Sequence, residues 1–208
     1  MPMFTVNLNI KNWPCLVVGG GTIALPKARR LIDAGADVTV VAPEIKEPLP
    51  GARLVYRKAE FSDLDGMKLA IMGTDSKEIN KELWEEAQKR GILSMAIDDL
   101  SAADFFSPAV FYRGDLEIAV STAGKGPAFS GRIRNLLADT LDEAYGEALE
   151  WYSNFRNEKL AGREMSTRIG ISRAILAEDF TAWFRKGDLD GWNARANEIM
   201  DQWLKENG

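Results

Sequence analysis

The run Val17-Val18-Gly19-Gly20-Gly21-Thr22-Ile23-Ala24 has the spacing G-x-G-x-x-A and follows directly on a short apolar stretch. In such a motif the first glycine permits a tight turn and the second lets the backbone approach a pyrophosphate. The small third residue keeps the following helix close to the sheet. The amides of Thr22 and Ile23 then point at the anion from a helix N-terminus. A plain glycine turn is the competing reading, but strand-like residues before the motif, a helical pattern after it and a second strand at Val38–Ala42 favour the dinucleotide. That second strand ends Ala42-Pro43-Glu44, so Glu44 is the acid available to an adenosine ribose. A carboxylate there repels a 2′-phosphate and favours NAD over NADP.

A second constellation, Ile97-Asp98-Asp99, follows another apolar run. Residues just beyond the carboxyl end of a parallel strand face the ligand crevice of an open α/β sheet. A carboxylate beside a nicotinamide takes a proton while a hydride leaves to the cofactor. Asp is equally at home capping a turn; of the two, Asp98 lies nearer the strand end and is the candidate base. Ser121-Thr122-Ala123-Gly124-Lys125-Gly126-Pro127 forms a small-residue loop leading into a proline-started helix that carries Arg132 and Arg134. With Arg113 nearby, it gathers positive charge, which suits phosphate or carboxylate groups or else makes a solvated basic face. It is not a P-loop, because G-x-x-x-x-G-K-[ST] is absent.

Composition limits the chemistry further. The 208 residues include no histidine and one cysteine, Cys15. Histidine-dependent triads, His-ligated zinc, cysteine-cluster metal sites and an internal disulfide are therefore excluded, and no metal site is expected. Cys15 lies within the first apolar run and reads as a small buried hydrophobe. None of the four tyrosines has a lysine four positions on, so a Tyr-x-x-x-Lys dehydrogenase site is missing. The net charge of −5 argues against nucleic acid as a partner. With no signal-peptide pattern in the opening residues and no apolar run of membrane length, the expectation is a cytoplasmic chain without a membrane partner.

These groups need elements to hold them. Cys15–Val18, Val38–Ala42, Arg53–Tyr56, Leu69–Met72 and Ile92–Ile97 read as strands. Helical spacing links Ile23, Ala24, Ala28, Leu31 and Ile32, and a charged helix spans about Glu78 to Lys89. Continuous apolar runs alternating with amphipathic helices predict a parallel sheet covered on both faces. Further on, Pro108–Arg113 and Leu116–Thr122 predict a hairpin turning at Gly114-Asp115. A helix is expected from Pro127 through Leu141 to Ala144. From Glu147 the pattern is helical, with breaks near Gly162, Gly170 and Gly187. Four tryptophans in this tail, Trp151, Trp183, Trp192 and Trp203, read as core anchors.

The motif set resembles the precorrin-2 dehydrogenase family, which includes the N-terminal module of sirohaem synthase. The resemblance rests on Cys15-Leu-Val-Val-Gly-Gly-Gly-Thr-Ile-Ala24 with Lys27-Ala28-Arg29, Val40-Val-Ala-Pro43, Gly73-Thr-Asp75, Ala96-Ile-Asp98 and Asp104-Phe-Phe-Ser-Pro-Ala109. It continues through Arg113-Gly-Asp-Leu-Glu-Ile-Ala-Val-Ser-Thr122 to Ile133-Arg134. It implies NAD-dependent oxidation of precorrin-2, a tetrapyrrole, to sirohydrochlorin. It also implies a Rossmann domain over 1–112, a small α+β dimerisation and substrate region over 113–146, a helical C-terminal domain over 147–208, and a homodimer. The family's essential aspartate falls on Asp98. Its nucleotide contacts fall on Gly19, Gly21, Thr22, Ile23, Pro43, Glu44 and Thr74. The polycarboxylate substrate gives Arg113, Thr122, Lys125, Arg132 and Arg134 an anionic partner. Some members also insert Fe²⁺ or Co²⁺, and a nucleotide sensor without turnover is the reading from another class. Met95, Gly126 and Pro26 depart from residues usual in the family, at positions bearing on the substrate side and the first helix.

Overall fold

Five apolar runs of four or five residues align as a parallel sheet in a computed structural model that describes residues 4–99 and 101–207. Met1 to Met3, at the head of the segment read for a targeting signal, lie outside the described residues. The strands are β1 (Pro14–Val18), β2 (Asp37–Val41), β3 (Ala52–Val55), β4 (Leu69–Met72) and β5 (Leu93–Ala96), in the order β3-β2-β1-β4-β5. β1 is central, with Val17 opposite Val40 on one side and Ile71 on the other. Its residues are buried on both faces because alternate side chains serve two separate cores. Cys15 and Val17 pack with Ala24, Leu25, Ala28 and Leu31 of helix α1 (Ala24–Asp33). Leu16 and Val18 pack with Leu83 and Ala87 of helix α2 (Lys77–Lys89). The period-two alternation of a strand thus separates the two layers, and β-branched residues fit the doubly covered sheet.

The chain divides into two compact units, Met1–Ser107 and Pro108–Gly208. The second begins with an antiparallel hairpin, β6 (Ala109–Arg113) and β7 (Leu116–Val120), turning at Gly114-Asp115 with Arg113 opposite Leu116. Helices follow: α3 (Pro127–Thr140), α4 (Ala144–Lys159), α5 (Met165–Leu176), α6 (Thr181–Lys186) and α7 (Leu189–Asn207). Pro127 sits at the start of α3, where its missing N–H costs nothing. The four tail tryptophans join one cluster with Phe155, Leu160, Ile171, Ile175 and Phe184. Trp192 is wholly buried, with the Trp151 ring centred 5.2 Å away.

The mixed α/β class expected from the sequence is borne out, and two local expectations are corrected. The helix from Pro127 stops at Thr140 instead of running on to Ala144, with Leu141 in extended backbone. Arg113 takes over its end: Nη2 donates to the Ala138 carbonyl and Nε to that of Leu141, each at 2.7 Å. A cation there also complements the helix dipole. Gly170 interrupts nothing and lies inside α5. A Cβ at this glycine would overlap the Trp203 ring from α7, so its role is close helix approach. Gly170→Ala, which on an exposed helix would add about 0.5–1 kcal/mol, is expected here to lower unfolding free energy by about 1–3 kcal/mol through overpacking. Urea denaturation followed by circular dichroism checks this; a stabilised variant would contradict the packing.

Candidate functional site

The strand order reverses between β1 and β4, since β2 and β3 continue on one side and β5 on the other. A crevice opens at the carboxyl ends of strands at such a switch point. Here it has a volume of about 750 Å³ and lies entirely within the first unit. Its floor is built from glycines. Gly19 has φ +122°, and a Cβ on it would collide with the carbonyl of Gly73 at the end of β4. The Gly19 N–H donates to the Val41 carbonyl at 3.0 Å, and the Gly73 N–H to that of Val18 at 2.7 Å, so three strand ends are stitched together. Ala24 has no exposed surface and touches the space above both glycines, consistent with its expected role as the small third motif residue.

Gly21 differs, for nothing lies within 4 Å of where its Cβ would stand. The amides of Thr22 and Ile23 make no hydrogen bond among the described residues. The N-terminus of α1 has no side-chain cap and no acid in its first turn. By contrast, the N-terminus of α2 is closed by Ser76, whose Oγ accepts from the Ile79 N–H at 3.3 Å. An open, positively polarised helix end above a glycine without a side chain fits a pyrophosphate.

Of the sequence-derived candidates, Gly19, Gly21, Thr22, Ile23, Pro43, Glu44, Thr74 and Asp98 all line this crevice. Lys46, Lys58, Phe61 and Asn80 line it too and went unnoticed in the sequence. Asn80 carried a signal: it shares the buried stripe of α2 with Leu83 and Ala87, an amide where an apolar residue would be ordinary. Its side-chain oxygen accepts from the Thr74 N–H at 3.0 Å and from the Thr74 hydroxyl at 2.8 Å. Its amide nitrogen donates to the Thr74 carbonyl at 3.0 Å and to Asp98 Oδ1 at 3.1 Å. Asp99 is used differently. Its Oδ1 accepts from the Ser101 N–H at 2.8 Å and hydroxyl at 2.6 Å, and these bonds, the hydroxyl's foremost, hold its carboxyl below the usual range. The turn thus occupies Asp99 and leaves Asp98 facing the crevice.

Arg113, Thr122, Lys125, Arg132 and Arg134 belong to the second unit. Besides its bonds to the end of α3, Arg113 donates to the Tyr112 carbonyl and lies 3.5 Å from Glu143. Arg134 donates to Asn135 and to the Val110 carbonyl. The Thr122 hydroxyl accepts from the Gly126 N–H at 3.2 Å and shapes the loop, in which Ala123 is forced to φ 49°. The side chains of Lys125 and Arg132 are exposed and have no hydrogen bond or ion pair among the described residues. Among those residues no group of three or more His, Cys, Asp or Glu is arranged to hold a metal ion. No described helix is long and apolar enough to cross a membrane.

A five-stranded parallel sheet with a glycine floor and an open helix end at its switch point defines a dinucleotide-binding α/β protein. A family model described as "Putative NAD(P)-binding" matches residues 6–109, and one described as "Sirohaem biosynthesis protein central" matches 113–140. The chain belongs to this NAD(P)-binding family. It is 37% identical over 163 residues to a siroheme synthase of Chromobacterium violaceum, an alignment covering 76% of this chain and 35% of the relative. A siroheme synthase of Methylobacillus flagellatus is 33% identical, with 100% of this chain and 44% of the relative covered. The chain thus spans less than half the length of these curated relatives. A solved structure titled "SirC, precorrin-2 dehydrogenase" superposes with a TM-score of 0.75 at 26% identity, covering 98% of this chain and 100% of its own. The resemblance drawn from the motifs is thereby borne out.

Cys15, the lone thiol, lies beneath this site with no exposed surface. Burial, with a smaller contribution from Asp37, pushes it up to about 11 from 9.0. The native thiol therefore keeps its proton where the unfolded one loses it, and stability declines as pH rises from about 9 to about 11. Thiol reagents are expected to label Cys15 only on unfolding; rapid labelling of the native protein at pH 8 would contradict this placement.

Proposed function

We propose that the protein oxidises precorrin-2 to sirohydrochlorin with NAD⁺. The observation that carries this reading is Asp98 in the same crevice as the glycine loop, in a chain without histidine. The substrate loses two hydrogens, one as hydride and one as a proton. NAD⁺, when bound, supplies the hydride acceptor. Gly19, Gly21, Thr22 and Ile23 hold the pyrophosphate, Pro43 and Glu44 take the adenosine ribose, and Thr74 flanks the nicotinamide side. Asp98 accepts the proton. Glu44 favours NAD⁺ over NADP⁺, because its carboxylate repels a 2′-phosphate.

Precorrin-2 is a polycarboxylate, and the Lys125 and Arg132 side chains are exposed cations with no ion-pair partner among the described residues. Thr122 shapes the loop that carries Lys125. Arg113 and Arg134 act mainly by holding the hairpin and α3 in place, which their bonds to backbone carbonyls support. A homodimer belongs to the same reading. Ser130 is the one described residue of α3 that is buried, while Phe129, Leu136 and Tyr112 are 64%, 52% and 60% exposed. A helix of 14 residues that buries no apolar side chain gains too little from its own unit, and a second copy of the chain covers it.

Anaerobic incubation with precorrin-2 is expected to yield NADH, and to proceed faster with NAD⁺ than NADP⁺. Asp98→Asn should cut turnover at least about a hundredfold, the usual reach of a general base. Lys125→Ala with Arg132→Ala should raise KM for precorrin-2 roughly tenfold and leave NAD⁺ affinity intact. No NADH from the wild type ends the proposal. Light scattering should give a dimeric mass at micromolar concentration, and Leu136→Glu should shift it toward the monomer; a monomeric wild type would remove the dimer.

A further inference from the structure

We propose that Asn80 is a positioning residue that fixes the Asp98 carboxylate in the crevice and ties it to the loop bearing Thr74. This deepens the dehydrogenase reading and rests on it. Asn80 is 1% exposed, so every hydrogen bond its amide fails to make within the protein is lost. All four of its bonding positions are occupied. The Thr74 backbone N–H can only donate, so the Asn80 oxygen must face it and the nitrogen must face away. The orientation of the amide is settled by the backbone, independently of Asp98. One N–H goes to the Thr74 carbonyl and the other to Asp98 Oδ1 at 3.1 Å.

The consequence is directional. Asp98 is exposed and stands at a strand end, where a carboxylate would otherwise sample several rotamers. The buried donor selects one of them by holding Oδ1, and Oδ2, which has no hydrogen bond among the described residues, is left to take the proton. Because the same amide holds both the N–H and the carbonyl of Thr74, a displacement of that loop moves the carboxylate with it. Thr74 lines the crevice beside Asp98, so the loop that meets the cofactor and the group that meets the substrate share one rigid part.

The test uses Asn80→Ala and the isosteric Asn80→Asp, measured in the anaerobic NADH assay with NAD⁺ affinity determined separately by calorimetry. Misplacement of a reacting group by about 1 Å costs up to about a hundredfold in rate, so kcat should fall roughly ten- to a hundredfold in both variants. NAD⁺ affinity should fall by a smaller factor than kcat, since the Thr74 loop is loosened while the glycine loop and the helix α1 end are untouched. The Asp variant keeps the size of Asn80 and an acceptor for the Thr74 N–H, but turns a like charge on Asp98. Should Asn80→Ala not fold, Asn80→Asp alone reads the same split. A wild-type kcat in Asn80→Asp, or equal losses in kcat and NAD⁺ affinity, overturns the proposal. Asp98→Asn runs alongside: if it too turns over normally, the base assignment has failed, whereas an inactive Asp98→Asn beside an active Asn80→Asp condemns the positioning role only.

Discussion

The site depends on one close approach, that of the Gly19 backbone to the carbonyl of Gly73. A side chain at Gly19 would run into that carbonyl, one at Gly73 would press on the Ile97 side chain, and Ala24 stands just above both. This lets the ends of two neighbouring strands converge while helix α1 starts directly over them. The helix N-terminus, the Thr74 loop and the tip of β5 then surround one crevice. A larger residue at Gly19 or Ala24 would lift the helix or separate the strands, and the amides of Thr22 and Ile23 would no longer face the same space as Asp98. Geometry at the floor therefore governs chemistry at the rim.

The absence of histidine shapes the other half of the argument. An imidazole brings its own bond directions and titrates near neutrality, whereas a carboxylate at a strand end brings neither restraint. The fold supplies direction through a buried amide whose orientation a backbone N–H dictates. Asp99, one residue further on, shows the alternative fate of the same side chain: two bonds to Ser101 commit it to the turn. Adjacent aspartates thus diverge because the chain turns beyond Ala96: the Asp99 N–H reaches back to the Ala96 carbonyl and its side chain is drawn to Ser101, while Asp98 stays on the crevice side.

Much of the first unit was legible in the sequence because its constraints are local. The glycine spacing, the apolar runs and the helical stripe between Ala24 and Leu31 each lie within a dozen residues, and the crevice residues named from them do share one crevice. Less legible were features set by distant partners. Asn80 meets Asp98 across 18 positions, and no periodicity shows what a buried amide will face. The positive charge of Arg113 was plain, but its attachment to carbonyls 25 and 28 residues on was not. Gly170 looked like a break because a glycine in a helix usually weakens it; the Trp203 ring that makes it necessary comes from another helix.

The placement of the tryptophans has a practical consequence. Trp13 and Trp84 belong to the dinucleotide-binding unit, while Trp151, Trp183, Trp192 and Trp203 lie in the helical one, clustered around the fully buried Trp192. Indole emission is accordingly weighted toward the helical unit, whereas a nicotinamide ligand stabilises the other. Melting curves recorded by the two signals need not coincide, and the distance between their midpoints measures how far each half of the chain holds together on its own.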